Sequence, residues 1–288
     1  MTVPALAAAE VNRITFGGSV MELDAGAPRW NRALARHFSH ARVAADAADW
    51  RIRLDVVPGA LPAVSAGTPY RLETSSHRFD FGPGLVWGEV APGGDVAATM
   101  VAELLAPAHI FLFDRFVCHL LFTVAVGECP LLIHGAALAE RGRGAILFGP
   151  PGAGKSTAAA LAHEALRLHD DLAVVHRSEG KRLLSGAPFD PRERAFDGGH
   201  ADLAVICSLH HARDVRIERG DARALVRRLL PETFLPLPLA GGNRQDSFAR
   251  LVVAVRALAE TVPYYQLHFR PDQSFWPALR PVLTQETP

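Results

Sequence analysis

Cysteine is scarce in this chain. There are three in 288 residues (Cys118, Cys129 and Cys207), and no two form a CxxC pair. An odd, scattered set excludes a disulfide-stapled scaffold and a zinc site built on paired cysteines, and it fits a reducing compartment such as the cytoplasm. Neither charge is in excess, with 30 basic and 30 acidic residues. The electrostatic footprint of a nucleic-acid-binding protein is therefore missing, and no nucleic-acid partner is expected. A long apolar run is missing as well. The most apolar stretch, 110–126, is broken by Asp114, Arg115 and His119, whereas a spanning helix needs about twenty apolar residues with few charges. It reads as a buried helix, and no membrane partner is expected. The first residues hold no basic segment followed by an apolar one, so no secretory leader is expected. Lysine is the rarest cation: Lys155 and Lys181 are the only two among the 30 basic residues. What remains, 49% apolar and 21% charged, is the composition of a globular domain or two.

The pattern along the chain changes near its first third. In 50–56, Trp50, Ile52, Leu54 and Val56 alternate with Arg51, Arg53 and Asp55, the period of a half-buried strand. Residues 70–81 read as a hairpin around Ser75-Ser76-His77, and 95–105 as a helix closed by Ala106-Pro107. Beyond this, strands are expected at 131–134, 137–139, 145–148, 172–175, 201–207 and 263–269. Helices are expected after Lys155 as far as Leu166, from an Asp221 cap to before Pro231, over 245–261, and over 271–283. The expectation is an α/β core preceded by a β-rich N-terminal domain with short helices, divided as 1–107 and 108–288.

The most informative string is Gly149-Pro150-Pro151-Gly152-Ala153-Gly154-Lys155-Ser156-Thr157, which fits G-x-x-x-x-G-K-[ST] between an expected strand and an expected helix. Glycines let backbone N–H groups turn inward around phosphate oxygens, where a Cβ would intrude. Gly149, Gly152, Ala153, Gly154, Lys155, Ser156 and Thr157 are the nucleotide-binding candidates. Lys155 would reach the β- and γ-phosphates and Ser156 would hold Mg²⁺. A chain that writes arginine almost everywhere keeps lysine here, where a compact ammonium suits the chemistry.

Two further features stand near this loop in sequence. Asp170 and Asp171 follow the loop's helix at the start of an expected strand, where one carboxylate could order Mg²⁺ and the other accept a proton from an attacking hydroxyl. His134, in Ile133-His134-Gly135, immediately precedes the hairpin that feeds the loop. Arg192, Arg194 and Arg244 are the arginines considered for charge compensation, Arg244 first.

Together, Ile133-His134-Gly135, the hairpin, Gly149–Thr157 and Leu168-His169-Asp170-Asp171 resemble the catalytic domain of HPr kinase/phosphorylase and its broader kinase relatives. The resemblance covers 131–175 well and the rest of the C-terminal half loosely. It implies a P-loop kinase core with a twisted mixed sheet related to phosphoenolpyruvate carboxykinase, and transfer of the ATP γ-phosphoryl group to a protein serine. It also implies Asp170 as general base, Asp171 on the metal, and His134 steadying the phosphoryl group. The chain departs from the family in carrying Thr157 where a glutamate is usual. In place of the Gly-Arg-Asn signature it has only the permuted Gly241-Gly242-Asn243-Arg244. It looks more like the HPr kinase-related proteins found beside peptide-modification systems, including kinases of lasso-peptide precursors.

The function expected is a Mg-ATP-dependent serine kinase acting on a peptide or protein held in part by the N-terminal domain. The alternatives are a kinase of a small hydroxylated metabolite such as free serine, or an ATP-binding regulatory protein with little turnover. Assembly into a homo-oligomer is left open by the sequence.

Overall fold

A computed structural model describes residues 11–39, 41–61, 72–75, 77–82, 84–91, 95–124, 131–189, 199–235 and 244–284. Period-two patterning builds the first sheet. In β3 (Trp50–Val57), Ile52 and Leu54 are buried while Arg51, Arg53 and Asp55 are exposed, as the alternation requires. The other strands of this sheet are β1 (Asn12–Phe16), β2 (Ser19–Asp24), β4 (Leu72–Ser75), β5 (Arg78–Phe81), β6 (Val86–Val90) and β7 (Val96–Val101), in the order β1-β2-β3-β7-β6-β5-β4. The expected hairpin is present as β4 paired with β5, although Tyr70 and Ser76 lie outside the described residues. The helix expected over 95–105 is instead β7 followed by a short 3₁₀ turn, Ala102–Leu105. Val96, Ala98 and Met100 are buried at alternate positions, and the strand pairs with β3 on one side and β6 on the other. Partners on both edges override the helical preference of its alanines.

Two helices belong to this part, α1 (Pro28–His37) and α2 (Ile110–Val124). Their packing explains one of the charges that interrupt the apolar stretch: Asp114 accepts a 2.6 Å hydrogen bond from His37 Nε2, while Phe113 and Phe116 pack with Phe38, Phe79 and Phe81. No helix among the described residues is long and apolar enough to cross a membrane.

The second sheet has eight strands: β8 (Leu131–Glu140), β9 (Arg143–Phe148), β10 (Leu166–His169), β11 (Leu172–Ser178), β12 (Lys181–Gly186), β13 (His200–His211), β14 (Arg216–Arg219) and β15 (Tyr264–Phe269). β9, β13 and β15 run parallel and the remaining pairs are antiparallel, so the sheet is mixed. β13 is buried along nearly its whole length, as a strand covered on both faces must be. One face is covered by α3 (Lys155–Leu161) and α6 (Phe275–Thr284), through Ala158, Ala159, Phe275, Trp276 and Leu279. The other is covered by α4 (Ala222–Leu229) and α5 (Arg244–Ala259), through Leu225, Leu229, Leu251, Val255 and Leu258. Asp221 caps α4 as expected, accepting from the Ala224 amide at 2.7 Å.

The sheet corrects several expectations. The strands expected at 131–134 and 137–139 are one, β8. Its two halves have different neighbours on one edge: Leu131–His134 pair with β11, and Ala137–Ala139 with β10. The helix after Lys155 ends at Leu161, so Leu166 is not on its apolar side; it opens β10 and is exposed. β10, β12 and β14 were not expected. They are short, and β14 (Arg-Ile-Glu-Arg) is mostly polar.

The chain divides into two units, Met1–Val126 with Leu237–Arg244, and Gly127–Pro236 with Gln245–Pro288. The division falls beyond the expected boundary at 107, because α2 goes with the first sheet.

Candidate phosphate loop and its histidine–carboxylate neighbours

Gly149 follows the last residue of β9, and the loop ends at Gly154, the N-cap of α3, with φ 94° and ψ 19°. Two features demand glycine at Gly154. Its φ lies in the left-handed region, and a Cβ there would sit 3.0 Å from Phe269 Cζ. Gly152 has φ 83° and turns the exposed middle of the loop. Lys155 is buried. Its ammonium donates to the Gly149 carbonyl at 2.8 Å and approaches the Pro150 carbonyl at 3.5 Å. Ser156 is half-buried and Thr157 exposed.

The edges of β8 bring the other candidates to the same end of the sheet. Gly135 pairs with Phe148, the residue before the loop, and its amide donates to the Asp171 carbonyl at 2.9 Å. β10 and β11 follow one another along the far edge of β8, and Asp170-Asp171 is the two-residue step between them. His134, opposite Leu172, touches two carboxylates: Nε2 lies 3.1 Å from Asp171 Oδ1, and Nδ1 lies 3.1 Å from Glu232 Oε2. A carboxylate accepts and does not donate, so two ring nitrogens both facing ionised carboxylates call for the doubly protonated imidazolium. Accordingly His134 is held above its ordinary pKa, chiefly by the hydrogen bond to Asp171, and Asp171 is held below its own, chiefly by the hydrogen bond to His134. The Lys155 charge acts on both, pulling each down.

The two aspartates are not equivalent. Asp171 is about a third exposed (34%) beside His134 (33%), whereas Asp170 is buried, at 4%. The step between β10 and β11 is shaped by His169. Its Nδ1 accepts from the Asp171 and Leu172 amides, both at 3.0 Å, and its Nε2 faces the Phe189 carbonyl. These partners fix the neutral tautomer with the proton on Nε2. The 3.9 Å approach of Nδ1 to Asp170 Oδ1 is therefore not an ion pair, since that nitrogen carries no proton.

No family model matches the chain, and no curated protein matches it.

Of the sequence candidates, the structure brings together His134, Asp171 and the loop bearing Lys155. Asp170 precedes Asp171 in the step between β10 and β11, and its side chain is buried. Arg244 opens α5; Arg192, Arg194 and Gly241-Gly242-Asn243 lie outside the described residues. Three site residues were not foreseen: Glu232, His169 and His211, whose Nε2 bonds the Gly152 carbonyl of the loop at 2.9 Å. Glu232 stands 98 residues from His134 and reaches it because the chain after α4 adds to β8. Ile133 bridges to Thr233, and the Phe234 amide donates to the Leu132 carbonyl at 2.9 Å. No spacing rule in the sequence signals that meeting. His169 stands within the quoted Leu-His-Asp-Asp string, and its neighbourhood was a usable signal. The described cysteines, Cys118 and Cys207, are buried and free. Burial pushes the Cys118 thiol up to about 12 and Cys207 higher still, so neither serves as a nucleophile.

Proposed function

We propose that the chain is a Mg-ATP-dependent kinase of the HPr kinase-like kind, transferring the γ-phosphoryl group to a serine hydroxyl of a peptide or protein. The observation that carries this reading is the His134–Asp171 contact, set beside the residue that enters the phosphate loop. A glycine-rich loop alone binds phosphates. A half-exposed carboxylate and an imidazolium next to it add the acceptor side of a transfer reaction.

In this reading the loop amides and Lys155 hold the β- and γ-phosphates, and the ammonium turns from its own loop's carbonyls to phosphate oxygens. Asp171 takes the hydroxyl proton as the serine oxygen attacks the γ-phosphorus; the bond to the β–γ bridging oxygen breaks and its electron pair leaves with ADP. The imidazolium of His134, braced by Glu232, orients Asp171 and offsets charge on the transferring group. Exposure and the His134 contact favour Asp171 as the base, the reverse of the expectation that gave this role to Asp170. The buried Asp170 is then assigned, with Ser156, to Mg²⁺. Their donors are the hard oxygens that this ion prefers, and no three His, Cys, Asp or Glu side chains among the described residues group to hold a metal unaided. When bound, it would neutralise the charge of the β- and γ-phosphates.

The test is phosphoryl transfer from γ-labelled ATP to serine-containing peptides, to free serine and to water. Label in peptide serine supports the proposal. Label only in free serine moves the acceptor to a small molecule. No label in any of the three, with ATP bound, makes the protein a nucleotide-binding regulator.

A further inference from the structure

The loop has two flanks, because β9 is bordered by β8 on one side and by β13 on the other. The β8 flank carries His134 and Asp171. If the phosphoryl end of the nucleotide is there, as the function proposed above requires, the nucleoside leaves the loop on the β13 flank. That flank ends in His211, paired in register with Phe269 at the end of β15. The imidazole is exposed and lies nearly parallel to the Phe269 ring, at 21° with centroids 6.1 Å apart; Phe269 itself is fully buried. One face of His211 is thus backed by a fixed aromatic ring. Its edge is pinned to the loop by Nε2–H donating to the Gly152 carbonyl at 2.9 Å, since a carbonyl can only accept. Gly154 keeps this corner open: a Cβ there would press on Phe269 at 3.0 Å and come within 3.7 Å of His211 Cε1. A flat ring held on one face and along one edge, and open to solvent beside a phosphate loop, is what a stacked base requires.

We propose that His211 is the platform for the nucleobase, and that its outer face stacks on the purine of the bound triphosphate. The proposal rests on the phosphate-loop reading and adds to it a residue that recognises the nucleoside and not the phosphates. The bland alternative is that His211 only props the loop through Gly152.

Calorimetric titration of the full chain with Mg-ATP and with magnesium tripolyphosphate separates these cases. For His211→Ala, ATP should bind about 5–150-fold more weakly, the scale of one lost base stack, while tripolyphosphate binds as in wild type. His211→Gln keeps a donor for Gly152 but has no ring, and should lose ATP affinity to the same extent. The proposal is overturned if His211→Ala weakens both ligands equally and His211→Gln restores both, which is the signature of a prop. It is also overturned if neither variant changes ATP binding. A wild-type chain that binds neither ligand removes the phosphate-loop reading itself, whereas tripolyphosphate binding with unchanged ATP affinity in the variants removes only the base platform.

Discussion

At the scale of single residues, the site turns on Lys155 in the loop and on the His134–Asp171 contact. Lys155 is the cation it can least spare. Lys155→Ala should weaken Mg-ATP binding about 10–100-fold, the worth of one charge-assisted hydrogen bond, and equal affinity by calorimetry in both proteins would count against the loop as a phosphate site. In the proposed reaction the two aspartates take different roles, base and metal ligand. Asp171→Asn should leave ATP binding intact and cut transfer by about 100–10,000-fold, and Asp170→Asn should raise the Mg²⁺ concentration needed for half-maximal rate. Exchanged effects would restore Asp170 as the base. The His134–Asp171 contact also has a pH signature. His134 is raised, so its stabilisation is complete below the ordinary histidine value of 6.5 and is lost as pH climbs through the raised value in the folded protein. Asp171 is lowered, so its share is present above the ordinary aspartate value of 3.8 and lost as pH falls through the lowered one. The stability gap between wild type and His134→Gln, measured by thermal unfolding, should therefore be widest between those two values and narrow on the alkaline side.

At the scale of elements, the loop depends on backbone shape more than on the helix behind it, since α3 has only seven residues. Gly154→Ala meets two penalties, a left-handed φ and the Phe269 ring. Gly180, with φ 79° and nothing within 4 Å of an added Cβ, meets only the first. Gly180→Ala should cost about 1–2 kcal/mol in denaturant unfolding. Gly154→Ala should cost more, and should weaken nucleotide binding as well. If the two variants lose the same stability and Gly154→Ala still binds ATP, the Phe269 contact has no part in shaping the loop.

At the scale of the whole molecule, the question is what the first unit does for the second. Everything assigned to phosphoryl transfer lies between His134 and Glu232. The first unit is expected to help hold a peptide, and an open sheet edge could do so by taking up an added strand. One edge is already taken: beyond β1, Ile14 bridges to Arg42, and backbone bonds join Thr15 to Ala41 and Val43 to Arg13. That leaves β4 as the other terminal strand. A chain starting near residue 127 keeps the second unit whole, whereas a cut near Pro107 would strand α2. After a check that it folds, the shortened chain should bind Mg-ATP like the full one and lose transfer to peptide. Peptide kinetics equal to those of the full chain would place acceptor recognition entirely in the second unit.

The sequence by itself determined what depends on neighbours along the chain. The loop's glycines and lysine, the Asp221 cap, the period-two strand β3 and the long helix α5 all follow from local spacing, because the forces that shape them act within a few residues. Tertiary structure decided what depends on pairing. Val96–Val101 is a strand because β3 and β6 flank it, and β8 is continuous because three strands share its edges. His134 is clasped by two carboxylates because Thr233 and Phe234 join β8, bringing Glu232 across a long stretch of chain. The exposure that separates Asp171 from Asp170 arises the same way. Adjacent aspartates are indistinguishable in a sequence, and only the step from β10 to β11, held by His169, places one of them half in solvent and the other inside.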